Sequence, residues 1–297
     1  MSAYRCGLVA VIGRPNVGKS TLINGVMGRK ISIVTAKPQT TRHRILAVHT
    51  TDEAQTIFVD TPGIHRKAGK AMNRLMNRTA ANALADADVI LFVSDATRWT
   101  DEDDAVLKRL QVVQGPVVAV LNKIDRVHPR EKLLAEIAEM AARHEFAEIV
   151  PVSALKRDNL GELLALLPAY LPESPPLFPE DMYTDRSPEF QAAEVIREKL
   201  TLMLHQEVPY GLTVQIERFV EDDTGISIDA TIWVERSSQK GIVVGKGGAV
   251  LKRVGTAARL ELKDQLGRSV HLELWVKVKG NWADNEADLA NLGYEPH

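Results

Sequence analysis

At 297 residues the chain is long enough for two ordinary domains, each with its own core. Its 45% hydrophobic and 26% charged residues are a globular composition, and a formal net charge of −2 excludes a polycation, so any nucleic-acid affinity must come from local clustering. The single Cys6 excludes an internal disulfide and fits a reducing compartment, and no apolar run approaches the ~20 residues that span a bilayer. The expectation is a cytoplasmic protein, with peripheral membrane contact left open.

Residues 7–12 read as a strand running into the loop Gly13-Arg14-Pro15-Asn16-Val17-Gly18-Lys19-Ser20, and 19–27 as a helix stopped by Gly28. The polar segment 35–44, with Gln39-Thr40-Thr41-Arg42 at its centre, has no strong period. Residues 44–50 and 55–59 form a hairpin that turns at Thr51-Asp52-Glu53-Ala54. Strands follow at 88–94, 117–121 and 148–152, with helices at 101–114, 129–143 and 159–167. This alternation predicts an α/β domain whose mostly parallel sheet is covered on both faces. The acidic run Asp101-Glu102-Asp103-Asp104 opens a helix, where it complements the macrodipole.

Pro168, Pro172, Pro175, Pro176 and Pro179 cannot sit in a regular helix or a central strand and mark a stiff linker. Ser187-Pro188 restarts order as a helix cap with proline at the first helical position, and the helical period runs to about residue 207. Alternating runs at 212–220 and 226–234 flank Asp222-Asp223-Thr224-Gly225. A helical stretch at 242–266, with Gly245, Gly247 and Gly248 in its first part, precedes a strand at 270–278. Trp275 reads as core, and the acidic tail from Trp282 onward has no derivable role. The chain thus divides into residues 1–171, a linker at 172–186 and a smaller α+β module at 187–297.

The first module carries the pieces of a guanine-nucleotide site. A strand–loop–helix junction offers backbone N–H groups and a helix dipole to phosphates, and glycine at 13 and 18 lets the backbone wrap them. Lys19 is placed to reach the β- and γ-phosphates, and the Ser20 hydroxyl to ligate Mg²⁺ with Thr21 beside it. Asp60-Thr61-Pro62-Gly63 closes a strand: the Asp60 carboxylate can hold magnesium through water, and the Gly63 N–H can sense the γ-phosphate. Segment 35–44 reads as a switch that brings a threonine to magnesium, with Thr41 favoured over Thr40. A second switch would run from Gly63 through Ile64-His65-Arg66-Lys67.

Asn122-Lys123-Ile124-Asp125 reads the base. The Asp125 carboxylate can accept from guanine N1–H and N2–H₂, which adenine does not offer, so adenine would leave it buried and unpaired. Lys123 can cover the base face, and Asn122 can tie this strand end to the phosphate loop. Ser153-Ala154-Leu155 suits a loop whose Ala154 N–H meets guanine O6.

In the second module Gly245-Lys246-Gly247-Gly248 contains a Gly-x-x-Gly loop between helices, the kind that clamps a nucleic-acid backbone. Arg236, Lys240, Lys246, Lys252, Arg253, Arg259 and Lys263 face one acid, Glu261, over that stretch. Such a local positive face is a phosphate-binding footprint. Lys277 and Lys279 end the last strand and could flank the groove.

Together the loop 13–20, Gln39-Thr40-Thr41-Arg42, Asp60-Thr61-Pro62-Gly63, Asn122-Lys123-Ile124-Asp125 and Ser153-Ala154-Leu155 resemble the five GTPase motifs of the Era family. The proline-rich linker and the C-terminal order helix, strand, strand, helix, helix, strand resemble that family's type II K-homology (KH) module. The resemblance implies a P-loop GTPase with Mg²⁺ that binds RNA, namely the 3′ end of 16S ribosomal RNA, and acts as a monomer in maturing the 30S subunit. In many small GTPases a Gln after the third motif's Gly orients the attacking water; Ile64 stands there and cannot, so the site must activate water otherwise or hydrolyse slowly. Asn16 resembles the loop asparagine that binds K⁺ in related families, or else it stabilises the turn. Two other readings stay open: an RNA-binding chaperone with GTP as a structural ligand, and a GTPase with a membrane or protein partner.

Overall fold

The computed structural model describes residues 3–37, 39–63, 71–110, 113, 115–204 and 208–294. The chain forms two compact units that part between Asp185 and Arg186, with residues 71–75, the start of a helix otherwise in the first unit, grouped with the second.

In the first unit, β1 (Arg5–Ile12), β2 (Ile45–Thr50), β3 (Ala54–Asp60), β4 (Val89–Asp95), β5 (Val117–Asn122) and β6 (Glu148–Val152) make one sheet in the order β2-β3-β1-β4-β5-β6. Only the β2–β3 pair is antiparallel. The strands are near-continuous apolar runs because both faces are covered. On one face Val9, Val11, Phe58, Leu91 and Val120 pack with Leu22 and Ile23 of α1 (Lys19–Met27) and Leu163 of α5 (Leu160–Leu166). On the other, Ala10, Ile12, Phe92 and Leu121 pack with Val106 and Leu110 of α3 (Asp101–Leu110) and Met140 of α4 (Lys132–Arg143). The connection order reverses at β1, whose neighbours are β3 and β4, so a crevice opens at the carboxyl ends of these strands.

Helix α1 is bounded as its sequence requires. Gly18 and Gly28 hold left-handed backbone at φ 103° and 67° at its two ends. Helix α2 (Ala71–Ala85) has no counterpart in the sequence reading. Its inward residues include Met72, Met76, Ala80, Ala83 and Leu84, and alanine-rich spacing of this kind gives a faint apolar stripe.

The proline-bearing segment is bound along the first unit. Gln55, fully buried, accepts from Leu177 N and Phe178 N at 2.8 and 2.9 Å and donates to Phe178 O at 2.9 Å. Further on, Val48 N donates to Tyr183 O, Thr184 Oγ1 to Leu46 O, and Leu46 N to Asp185 Oδ1. Proline cannot continue a ladder, so side chains supply part of the pairing. Cys6 is buried beside Gln55, and burial pushes its thiol pKa up.

The second unit opens with α6 (Pro188–Met203), capped by Ser187, whose Oγ accepts from Phe190 N. Strands β7 (Leu212–Asp222), β8 (Gly225–Val234) and β9 (Val270–Val278) form a sheet in that order, antiparallel then parallel. Even-numbered residues of β8 and β9, among them Ile228, Ile232, Val270 and Val276, face a core shared with Val195, Leu200, Val254 and Leu262 of α6 and α8 (Ala249–Leu266). Helix α7 (Ser237–Val244) precedes α8.

Two expectations change here. Trp275 is not core: it is 44% exposed, because strict alternation on β9 turns odd positions to the sheet's other face. The tail, which had no role derivable from the sequence, packs into the fold through Trp282 and Tyr294. Trp282 is fully buried and donates from Nε1 to Gly211 O at 3.3 Å, and Tyr294 beyond α9 (Glu286–Asn291) shares a 2.9 Å hydrogen bond with Thr213. No helix among the described residues is long and apolar enough to cross a membrane.

Candidate functional site

The carboxyl ends of β1, β3, β5 and β6 bring four of the first unit's five sequence-separated motifs to one edge of the sheet. Behind Gly13 and Gly18 there is no room for a side chain: a Cβ would stand 2.3 Å from Val93 O and 2.4 Å from Asn122 Nδ2. Gly13, Asn16 and Gly18 all have positive φ, which makes the loop a concave cradle suited to an anion. Asn16 is exposed at the rim, and Pro15 packs 3.2 Å from where a Cβ on Gly63 would stand.

Lys19 is buried, and its Nζ donates to the carbonyls of Gly13 and Arg14 at 2.9 and 3.0 Å. Burial lowers its pKa to about 8, against the opposing attraction of Asp60. Around Ser20 three oxygens converge. Ser20 Oγ lies 3.0 Å from Thr41 Oγ1 and donates to Asp60 Oδ2 at 3.0 Å, while Thr41 Oγ1 stands 3.3 Å from the same carboxylate oxygen. Thr40 turns away, toward Thr35 Oγ1 and Lys37 O. Burial pushes the Asp60 carboxyl up, and the neighbouring Ser32 hydroxyl and then Lys19 pull it back. Its Oδ1 is buried without a hydrogen-bond partner among the described residues. An all-oxygen set with an orphaned carboxylate oxygen fits Mg²⁺ and its waters. Thr61 Oγ1 donates to Val11 O and locks the end of β3 to β1, with Pro62 following. Ile64 and the basic stretch His65-Arg66-Lys67 lie outside the described residues.

The base-reading loop is cross-braced. Asn122 donates from Nδ2 to Val17 O at 2.8 Å and accepts at Oδ1 from Lys123 N and Ala154 N. The Ala154 N–H, the sequence's candidate donor to guanine O6, is therefore directed at Asn122 in this structure. Ser153 Oγ donates to Asp125 Oδ1 at 2.5 Å and leaves Oδ2 for another partner. Lys123, at φ 68°, reaches Asn16 O at 2.7 Å and Asp95 Oδ2 at 2.6 Å. Burial works against it, yet hydrogen bonds from Lys123 and Thr97 hold the Asp95 carboxyl below its ordinary range. Gly18, Thr21, Asn122, Lys123, Asp125 and Leu155 line one hollow, together with Arg126, which the sequence reading missed; Ile124 packs into the core beneath.

In the second unit the loop after α7 has three glycines at positive φ: Gly245 at 73°, Gly247 at 60° and Gly248 at 79°. A Cβ on Gly245 would meet Val250 at 2.5 Å, whereas Gly247 and Gly248 face open space. Next to them runs a groove between α8 and β9, lined by Gly248, Lys252, Gly255, Thr256, Arg259 and Leu274. Lys246 and Arg253 are exposed near it but do not line it. Thr256 was not among the sequence candidates, and Arg259 entered only as one of the basic residues of that stretch, although 252, 256 and 259 share one face of a helix by spacing alone. A cationic, small-floored groove beside a glycine loop can hold an unstacked single strand.

A P-loop GTPase joined to a KH-type RNA-binding unit is the class that this fold and these sites define. Family models agree: a 50S ribosome-binding GTPase model matches residues 8–123 and a KH-domain model matches 207–283. The chain is 49% identical to GTPase Era of Pseudomonas syringae pv. tomato over 293 residues, covering 99% of this chain and 98% of that one. It is 51% identical to GTPase Era of Xylella fastidiosa over 292 residues, 98% of each. Among solved structures, Era in complex with MgGDPNP and nucleotides 1506–1542 of 16S ribosomal RNA superposes with a TM-score of 0.94 at 43% identity, covering 98% of this chain and 99% of that one. An Aquifex aeolicus Era variant bound to GDP and AlF4− gives 0.92 at 43% identity over the same shares. The chain belongs to the Era family of GTPases.

Proposed function

We propose that this protein is a GTP-hydrolysing switch in the cytoplasm that binds the 3′ end of 16S ribosomal RNA through its KH unit and acts, as a monomer, in maturing the 30S subunit. Residues 1–171 are its GTPase module, 172–186 the linker and 187–297 the RNA module. The observation that carries the reading is the convergence of Lys19, Ser20, Thr41, Asp60, Asn122 and Asp125 on one sheet edge.

Asp125 selects guanine with the carboxylate oxygen that Ser153 leaves open. The loop 13–20 encloses the phosphates, with the Lys19 ammonium on the β- and γ-oxygens. Ser20 and Thr41 hold Mg²⁺ directly and Asp60 holds it through water; when bound, the ion neutralises charge that develops on the phosphates. Gly63 N–H orients the γ-phosphate. With Ile64 in place of a water-orienting glutamine, intrinsic turnover is slow. Asn16, exposed on the rim, would hold K⁺, whose charge would raise turnover; equal rates in K⁺ and Na⁺ at one ionic strength would remove that role.

Gly245, Lys246, Gly247 and Gly248 clamp the RNA backbone, and Lys252, Arg253 and Arg259 meet its phosphates. The test is fluorescence anisotropy with a labelled single-stranded RNA carrying the 3′-terminal 16S sequence. The reading predicts tight binding that a scrambled RNA and anionic lipid vesicles fail to compete. Equal competition by scrambled RNA or by vesicles overturns it.

A further inference from the structure

Four successive carbonyls of the phosphate loop are turned onto cations. Lys19 Nζ takes those of Gly13 and Arg14, Arg14 NH1 takes Pro15 O at 3.3 Å, and Lys123 Nζ takes Asn16 O. These bonds satisfy the loop's carbonyls, so an anion entering the cradle meets no unpaired oxygen among the four. When a triphosphate enters, the Lys19 ammonium serves the phosphates, and Arg14 and Lys123 remain as the outer grip.

Arg14 is itself held from α3. Its Nε donates to Asp103 Oδ2 at 2.8 Å and its NH2 to Arg98 O at 3.1 Å, so all three guanidinium nitrogens are engaged. Asp103 lies outside every nucleotide motif. It is fully buried, and the same oxygen also accepts from Thr100 N and Oγ1, both at 2.9 Å. Complementing the helix dipole does not require burial, since Asp101 and Glu102 do so from exposed positions. A buried carboxylate is costly unless a cation and hydrogen bonds satisfy it, and the cation here comes from the phosphate loop.

We propose that Asp103 is a positioning residue for nucleotide binding: through Arg14 it fixes the phosphate loop in its anion-ready shape and thereby sets how long a guanine nucleotide stays bound. This rests on the nucleotide-site reading above.

The test is the dissociation rate of a fluorescent GDP analogue, chased with unlabelled GDP, together with steady-state GTP hydrolysis. Asp103→Asn keeps an acceptor for Thr100 but removes the charge. The dissociation rate and KM for GTP should each rise about tenfold, the scale of a lost charge-assisted hydrogen bond. The kcat should stay within about twofold, since the contact is the same in ground and transition states. Arg14→Gln should match it, and the double variant should be no worse than either alone. Glu102→Gln, an exposed neighbour, should change nothing. Asp103→Asn that lowers Tm with an unchanged dissociation rate, or effects that add with Arg14→Gln, would overturn the proposal. Should Asp103→Asn fail to fold, Arg14→Gln decides alone: an unaltered rate there overturns it. Wild-type protein that fails to hold the analogue would instead defeat the nucleotide-site reading, and this proposal with it.

Discussion

Asn122 donates from Nδ2 to the carbonyl of Val17 at 2.8 Å, a bond that spans 105 positions and fastens the base-reading loop to the phosphate loop. Both residues are buried, so neither group has water to fall back on. Asn122→Ala also frees Lys123 N and Ala154 N. With two or more partners orphaned at about 1–3 kcal/mol each, GTP and GDP affinity should fall roughly a hundredfold or more. Calorimetry checks this; a loss confined to one of the two nucleotides would be at odds with a brace that serves both.

The pH dependence of GTP affinity follows from Lys19. Burial has lowered its pKa from the ordinary lysine value to about 8 in the ligand-free protein, with Asp60 resisting. The ammonium is the form that binds phosphate, and bound phosphate raises its pKa again. Affinity should therefore be level below about pH 8 and fall by about tenfold per unit above it, as binding comes to require proton uptake. The dissociation constant measured from about pH 7 to about pH 9.5 tests it. A flat profile would show that Lys19 keeps its charge without ligand.

Much of this site could be read from the sequence because its residues are contiguous and their spacing is set by one local geometry. Gly13 to Ser20 lies on a strand–loop–helix junction, and Asn122 to Asp125 on a strand end. What escaped depends on long-range contact. Asp103 looked like one more first-turn acid, and nothing local marks it as the partner of Arg14, 89 residues away. Gln55 gives no hint that it holds Leu177 and Phe178. Trp275 was legible in principle, since Val270, Leu272, Leu274 and Val276 claim the inner face. Hydrophobicity outweighed parity in that reading.

The buried tail carries a stability prediction. Trp282 fills a fully buried position against Tyr294, with ring centroids 6.1 Å apart, and satisfies its indole N–H on Gly211 O. Trp282→Ala leaves both a cavity and an unpaired carbonyl, so it should cost about 3–5 kcal/mol. Urea unfolding followed by circular dichroism measures it. A cost below about 1 kcal/mol would mean that the tail only rests on the surface.

Gly247 tests the RNA loop. Its φ of 60° suits few side chains, but nothing lies within 4 Å of a built Cβ, and aspartate tolerates left-handed backbone. Gly247→Asp should therefore fold, place an anion against the RNA backbone and weaken RNA binding by about tenfold or more, with GTP turnover unchanged. Undiminished RNA binding in anisotropy would take the clamp away from this loop.

The central claim is that a carboxylate at position 125, oriented by Ser153, chooses guanine for a loop that holds its phosphates. Side-by-side calorimetric titration of the wild-type protein and Asp125→Asn with GTP, ATP and XTP in Mg²⁺ tests it most directly. The account predicts that the wild type binds GTP and ignores ATP, while the variant moves its preference to XTP. ATP bound as tightly as GTP by the wild type, or an Asp125→Asn protein that still prefers GTP, would contradict it.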